Sequence, residues 1–142
     1  MPSKLLQVRD FHEGCGQFDP TEPTDIAEER AWLRARLMAE ELQELMRSLG
    51  YSEAIVGFDL GGRHAAPDWA HVLKELSDLR YVIYGTACEL GLDAVADKAF
   101  NRVHKSNLSK FEEGGAVRDE GGKIMKGEHY RPPELGSLVQ GS

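Results

Sequence analysis

Glu40, Glu41 and Glu44 fall within the stretch RLMAEELQEL, and Glu75 and Asp78 within LKELSDLRYVIYGTACEL. In a helix each residue advances about 100° around the axis, so positions three and four apart share a face. Measured from Glu40, the residues Leu33, Leu37, Glu41, Glu44 and Leu45 lie within about 140° of arc, which puts these acids among apolar side chains rather than opposite them. In the second segment Glu75 and Asp78 lie about 60° apart, beside an apolar arc of Trp69, Val72, Leu73, Leu76, Leu79, Ile83, Ala87 and Leu90. Carboxylates at the border of a core repel one another and resist desolvation, at a cost on the order of several kcal/mol per unpaired buried ion. A bound cation would relieve both penalties. Oxygen-only ligation points to a hard ion, Mg²⁺ or Mn²⁺, because zinc and copper sites recruit His or Cys. The competing explanation pairs the acids with Arg34, Arg36, Arg47, Lys74 and Arg80 as surface salt bridges, which contribute little. Two acidic sets that both border apolar stripes favour the metal.

The elements that must position these groups are helices. A short amphipathic helix is expected from Ser3, its N-cap, to about His12, followed by a glycine-bearing stretch. Asp19 to Thr24 reads as a connector, after which Thr24 or Asp25 can cap a long helix reaching Leu49, with Gly50 at its end. Tyr51 to Pro67 reads as a loop that can hold a short extended piece at Ala54 to Phe58. Asp68 caps a third helix that runs to about Leu90 and stops at Gly91. A fourth starts at Asp93 and reaches roughly Leu108, with Val95, Ala99, Phe100 and Val103 facing inward. Beyond Phe111 the stretch VRDEGGKIMK, within Ala116 to Lys126, predicts a β-hairpin turning at Gly121 and Gly122, and the tail after Tyr130 is expected to be extended or partly disordered. The expected fold is therefore all-α, a bundle of four to five helices with a short C-terminal β-hairpin. It forms one domain over 1–142, with a helical core over about 3–111 and hairpin and tail over 112–142.

Composition narrows the class of function. The 142 residues, 41% hydrophobic and 29% charged, match a soluble globular chain with no apolar run approaching a membrane span. The N-terminus shows no signal-peptide pattern, so a cytoplasmic location with reduced Cys15 and Cys88 is expected. A net charge of −7 argues against a polymeric nucleic acid as partner, since that needs a broad basic surface. A small polyanion held by metal and a local group of Lys and Arg is compatible with it.

EELQE followed by ELSD resembles the ExxE and ExxD signature of the all-α nucleoside triphosphate pyrophosphatases, the MazG-like group. The stretches DLRYVIYGTACELGLD, VHKSNLSKF and GGKIMKGEHYRPP look like its phosphoribosyl-ATP pyrophosphohydrolase-like branch, so the resemblance extends from Leu33 to Pro133. It implies Mg²⁺-dependent cleavage of a nucleoside triphosphate to monophosphate and pyrophosphate, as nucleotide-pool house-cleaning, in a helical homodimer or tetramer. Some relatives act on dUTP, and dUTP or a related pyrimidine nucleotide is the expected substrate.

Phosphoryl transfer needs neutralised phosphate oxygens and a positioned water more than covalent chemistry, and these acids can supply both. Glu41, Glu44, Glu75 and Asp78 are the expected metal ligands, and Glu40 the acid that orients or deprotonates the water, although Glu40 and Glu41 can exchange roles. With the resemblance, Lys105, Asn107 and Lys110 become phosphate or sugar ligands; without it, lysines near a helix C-terminus answer the helix dipole. His71, one turn before Glu75, can line the acidic site or stand half-exposed near a helix start. Arg80, inside the apolar arc, reads as a core or subunit-interface ion pair. Trp32 and Trp69, with Phe11 and His12, can stack on a base, but aromatics at helical spacing are more often core. Two other functions fit less well. A ferritin-like di-metal redox bundle would use Glu-x-x-His pairs, which are absent, and the other alternative is a non-catalytic metal-binding or dimerisation module whose acids bind Ca²⁺ or simply repel.

Overall fold

The computed structural model describes residues 3–51, 68–110 and 115–140. Among them are the helices α1 (Lys4–Gly14), α2 (Glu28–Ser48), α3 (Trp69–Glu89), α4 (Asp93–Leu108) and the single turn α5 (Gly136–Val139). The chain divides into two compact units, Met1–Gly91 and Leu92–Ser142. The expected extended piece at 54–58 and the loop around it lie outside the described residues.

In the first unit, α3 packs against both α1 and α2. Ser3 caps α1 by accepting the Leu6 amide at 3.1 Å, and Asp68 caps α3 by accepting the amides of Ala70 and His71 at 3.1 and 3.3 Å. Both starts follow from the capping preference of short oxygen-bearing side chains. The start of α2 does not follow the expected cap. The helix begins at Glu28 after Ala27, with no side-chain cap. Thr24 is drawn away, its amide donating to the Leu90 carbonyl at 2.9 Å and its hydroxyl to the Glu22 carbonyl at 2.7 Å. A tertiary bond thus replaces the local one. Glu28 and Glu29 at the first turn and Arg47 at the last still suit the helix dipole.

Leu5 and Val8 of α1, Leu45 of α2 and Val72 and Cys88 of α3 form the buried apolar centre. Much of the apolar arc foreseen on α3 lies outside it: Trp69, Leu73, Leu76 and Ile83 are exposed. So is Arg80, whose guanidinium donates to the Tyr84 hydroxyl at 3.3 Å and lies over that ring. The apolar arc of α3 is wider than the faces α1 and α2 cover, and Arg80 falls on the uncovered part. Among the described residues the buried arginine is Arg34 of α2, which the sequence offers only as a surface partner for the acids.

In the second unit α4 begins at Asp93 as expected, yet Phe100 and Val103 are exposed rather than inward. The buried side chains are Ser106 and Ser109, because the C-terminal segment docks there. The Ser106 hydroxyl donates to the Arg131 carbonyl at 2.7 Å, and Ser109 Oγ accepts the Arg131 amide at 2.8 Å. Arg102 reaches Glu134 at 2.9 Å. The tail, expected to be extended or partly disordered, is non-helical from 131 to 135 but anchored by these bonds, and the single turn α5 follows. The expected hairpin is reduced to a turn. Asp119 Oδ1 accepts the amides of Gly121 and Lys123, both at 2.9 Å, and one antiparallel bridge joins Arg118 to Ile124, with no β-strand among the described residues. Val117 and Met125 stay exposed, and two short segments whose apolar side chains nothing covers do not hold a ladder of their own.

Gly91 ends α3 with a φ of +67°, and a Cβ there would lie 1.8 Å from the Glu22 carbonyl oxygen. Both the left-handed backbone and the close approach require glycine. Gly91→Ala is expected to destabilise the protein by about 2–4 kcal/mol, read from denaturant unfolding. A loss below the error of that measurement would show that the connector at Glu22 does not pack against this turn.

Candidate active site

Glu41, on the middle of α2, faces Glu75 and Asp78 on α3. One carboxylate oxygen from each lies within 4.8 Å of the others. The helices run antiparallel here, since Arg34, seven residues before Glu41, contacts Val82, seven residues after Glu75. Seven residues are close to two turns, so the same seam of each helix is presented at both levels.

Glu75 is the most buried of the three, at 2% exposure. Its Oε1 meets His71 Nε2 at 3.0 Å and Lys74 Nζ at 3.2 Å, while Lys74 also donates to Asp78 Oδ2 at 2.7 Å. These bonds to Asp78 and Glu75 push the Lys74 ammonium pKa up and keep it charged. One ammonium does not balance three carboxylates. The buried oxygens Glu41 Oε2 and Glu75 Oε2 have no hydrogen-bond partner. The Glu41 carboxyl is held above its ordinary value of 4.5, first by burial and then by the charges of Glu44, Asp78 and Glu75, which Lys74 offsets only in part. Buried oxygens left without donors, in a set of hard ligands with excess negative charge, fit a divalent cation.

The other acids stand apart from this trio. Glu44 is exposed, near enough to raise the Glu41 pKa. Glu40 is exposed and accepts from Arg36 Nε at 2.8 Å, while Arg36 lies over the Trp32 ring. Adjacent residues on a helix point about 100° apart, which separates Glu40 from Glu41. Trp32, Trp69 and Phe11 are exposed, whereas His12 is buried. On the second unit, Lys105 and Asn107 are exposed and Lys110 half-buried near the end of α4. Lys105, with Arg102, Ser106 and residues Arg131 to Glu134, lines a cavity of about 370 Å³.

The model of the phosphoribosyl-ATP pyrophosphohydrolase family matches residues 8–107. The chain belongs to this family. It is thereby a pyrophosphohydrolase acting on a nucleotide triphosphate, a hydrolase of phosphoric anhydrides in the MazG-like all-helical superfamily. The matched stretch contains all five acids together with Lys105 and Asn107, and stops short of Lys110. No curated protein matches the chain. Among its described residues, no helix is long and apolar enough to cross a membrane.

Spacing alone did not reveal a second polar cluster on the same seam of this pyrophosphohydrolase. Glu89 is buried between Arg30 and Arg34, and His12 Nδ1 meets Asp19 Oδ2 at 2.6 Å. The available signal was the heptad relation of Arg34 to Glu41 and of Glu75 to Glu89, since such positions share a helix face.

The raised Glu41 pKa carries a sign. An acid whose pKa is higher in the folded than in the unfolded state contributes stability below the unfolded value, and that contribution is lost as pH rises through the folded one. In metal-free protein the ionisation of Glu41 therefore works against folding. Glu41→Gln in EDTA is expected to raise the Tm at pH 7, with the gain shrinking as pH falls toward 4.5. An unchanged or lowered Tm at pH 7 in calorimetry would show that the trio is already compensated.

Proposed function

We propose that the chain hydrolyses dUTP, or a related pyrimidine deoxynucleoside triphosphate, to the monophosphate and pyrophosphate with Mg²⁺ or Mn²⁺, removing unwanted nucleotides from the pool. The observation that carries the metal is the pair of buried, unpartnered oxygens on Glu41 and Glu75 beside Asp78. Glu41, Glu44, Glu75 and Asp78 are its proposed ligands. When bound, the ion supplies Lewis acidity and positive charge toward phosphate oxygens. Glu40 is the acid proposed to orient and deprotonate the attacking water, and for this it exchanges its ion pair with Arg36. Lys105, Asn107 and Lys110 are proposed to bind the substrate through its phosphate or sugar oxygens, two as point charges and one as an amide donor.

The likeness of EELQE, ELSD and SNLSK to the pyrophosphatase signature supports the reaction class, and the choice of dUTP within it rests only on the resemblance to a group some of whose members act on dUTP. The family description favours a second reading, phosphoribosyl-ATP as the substrate. Incubation with dUTP, dCTP, dATP, dGTP, the ribonucleotides and phosphoribosyl-ATP, with separate detection of pyrophosphate and orthophosphate, decides between them. EDTA is expected to abolish turnover. Glu44→Gln and Asp78→Asn should lose metal affinity and rate together. Glu40→Gln should retain metal and nucleotide while kcat falls by about 10²-fold or more. Orthophosphate as first product, or undiminished turnover in Glu44→Gln, would overturn the mechanism.

We further propose a homodimer, or a tetramer built from it. Trp69, at 72% exposure, with Leu73 and Trp32, offers apolar surface that the chain's own described helices leave uncovered. Sedimentation at micromolar concentration should show no stable monomer, and a monomer there would remove the oligomer while leaving the chemistry standing.

A further inference from the structure

We infer that Arg34 is a positioning residue for the acid trio, setting the register of α2 against α3 so that Glu41 meets Glu75 and Asp78; this rests on the metal reading above. Arg34 is an arginine at 7% exposure that makes no contact with the trio itself. Its Nη2 donates to the Val82 carbonyl at 2.8 Å, its Nε to Thr86 Oγ1 at 3.1 Å, and the same Nε lies 3.2 Å from Glu89 Oε2. Val82, Thr86 and Glu89 lie on successive turns of α3, so one guanidinium reads the position of the helix along its axis at three points. The Thr86 hydroxyl is itself held by the Val82 carbonyl at 2.8 Å, and Arg30 takes the other Glu89 oxygen. The planar fork of arginine is pre-organised for such a multipoint contact, whereas a lysine would offer a single point charge.

Gly85 makes room for this clamp. A Cβ at that position would lie 2.4 Å from Arg34 Nη2 and 3.1 Å from His12 Nε2. Its φ is unexceptional, so the requirement for glycine comes from the guanidinium seated against it rather than from the backbone. Arg34 lies about two helical turns from Glu41 along α2, and its nearest partner on α3, Val82, lies about two turns from Glu75, too far for direct contact and short enough for α2 to act as a rigid spacer. Register matters there because a hard divalent cation takes oxygen ligands only at about 2.0–2.6 Å, so a displacement of α2 by even about 1 Å pulls Glu41 out of the set. Outer residues that orient ligands in this way typically change metal affinity by about 10–100-fold.

The test is Mn²⁺ affinity measured by electron paramagnetic resonance without nucleotide, alongside Tm. The double variant Arg34→Met with Glu89→Gln removes the clamp without leaving an unpaired buried charge, and Gly85→Ala displaces the guanidinium while keeping every charge. Both are expected to stay folded and to bind Mn²⁺ about tenfold more weakly than the wild type. Val8→Ala, which deletes buried apolar volume from α1, should lower Tm yet keep the affinity within about twofold, as for an independent site. Wild-type affinity in both clamp variants would overturn the inference, as would an equal loss in Val8→Ala, which would mark the effect as general destabilisation. Should the double variant fail to fold, Gly85→Ala decides. A wild type that binds no Mn²⁺ brings down the metal reading and this inference with it, whereas tight wild-type binding with unaffected variants removes the role of Arg34 alone.

Discussion

The seam between α2 and α3 is charged oppositely at its two levels, and this imbalance organises the first unit. At one level two arginines, Arg30 and Arg34, enclose a single carboxylate, Glu89. At the other, three carboxylates gather around a single lysine. A buried ion pair adds little net stability because desolvation consumes much of the attraction, but breaking one is costly, so such a pair holds geometry better than it adds free energy. The arginine end can therefore serve as the fixed point of the seam. Glu89 Oε2 also lacks a hydrogen bond but has Arg34 Nε at 3.2 Å, whereas the acidic end leaves buried oxygens of Glu41 and Glu75 unpaired and holds a carboxyl whose pKa is raised by burial and by its neighbours. Groups held in such tension are where function concentrates, because a ligand that neutralises them gains what the fold has left uncompensated.

The connector between α1 and α2 extends the same logic to the rest of this unit. Arg9 donates to the carbonyls of Asp19 and Pro20, both at 2.8 Å, and Gln17 bridges Asp19 and Arg30. His12 and Asp19 join these residues to the buried side of α3, beside Gly85. At the far end of α3 the Thr24 amide takes the Leu90 carbonyl, one of the carbonyls a helix terminus leaves unsatisfied. A proline-bearing segment with little apolar content is thus held by polar contacts to helix ends and to a buried histidine. Its satisfaction of backbone groups explains why α2 starts at Glu28 rather than at the first available cap.

In the second unit two small hydroxyls do comparable work. Ser106 on the last turn of α4 and Ser109 at its C-cap are about one turn apart, and both address the backbone of Arg131. In the segment KSNLSK that holds them, the sequence points to the two lysines and the asparagine as ligands. The serines turn out to be the buried members, and they secure the C-terminal segment that lines the cavity beside Lys105.

Sequence alone settled whatever depends on angle around one helix axis. The caps at Ser3 and Asp68, the stop at Gly91 and the placement of acids beside apolar stripes are all properties of residues within a turn of each other, and the backbone hydrogen-bond period expresses them directly. Membership in a pyrophosphohydrolase family was legible for a related reason, since its signature is a pair of such local spacings. What the tertiary structure decided was which arc of each helix is covered and at what height the helices meet. Arg34 went inward and Arg80 outward, Glu41 joined Glu75 and Asp78 while Glu40 turned to Arg36, and the face of α4 that closed was the serine face rather than that of Phe100. Periodicity does not carry this information. Axial register and the choice between two plausible faces depend on contacts between residues dozens of positions apart, such as Arg34 with Glu89, which only the packed chain brings together.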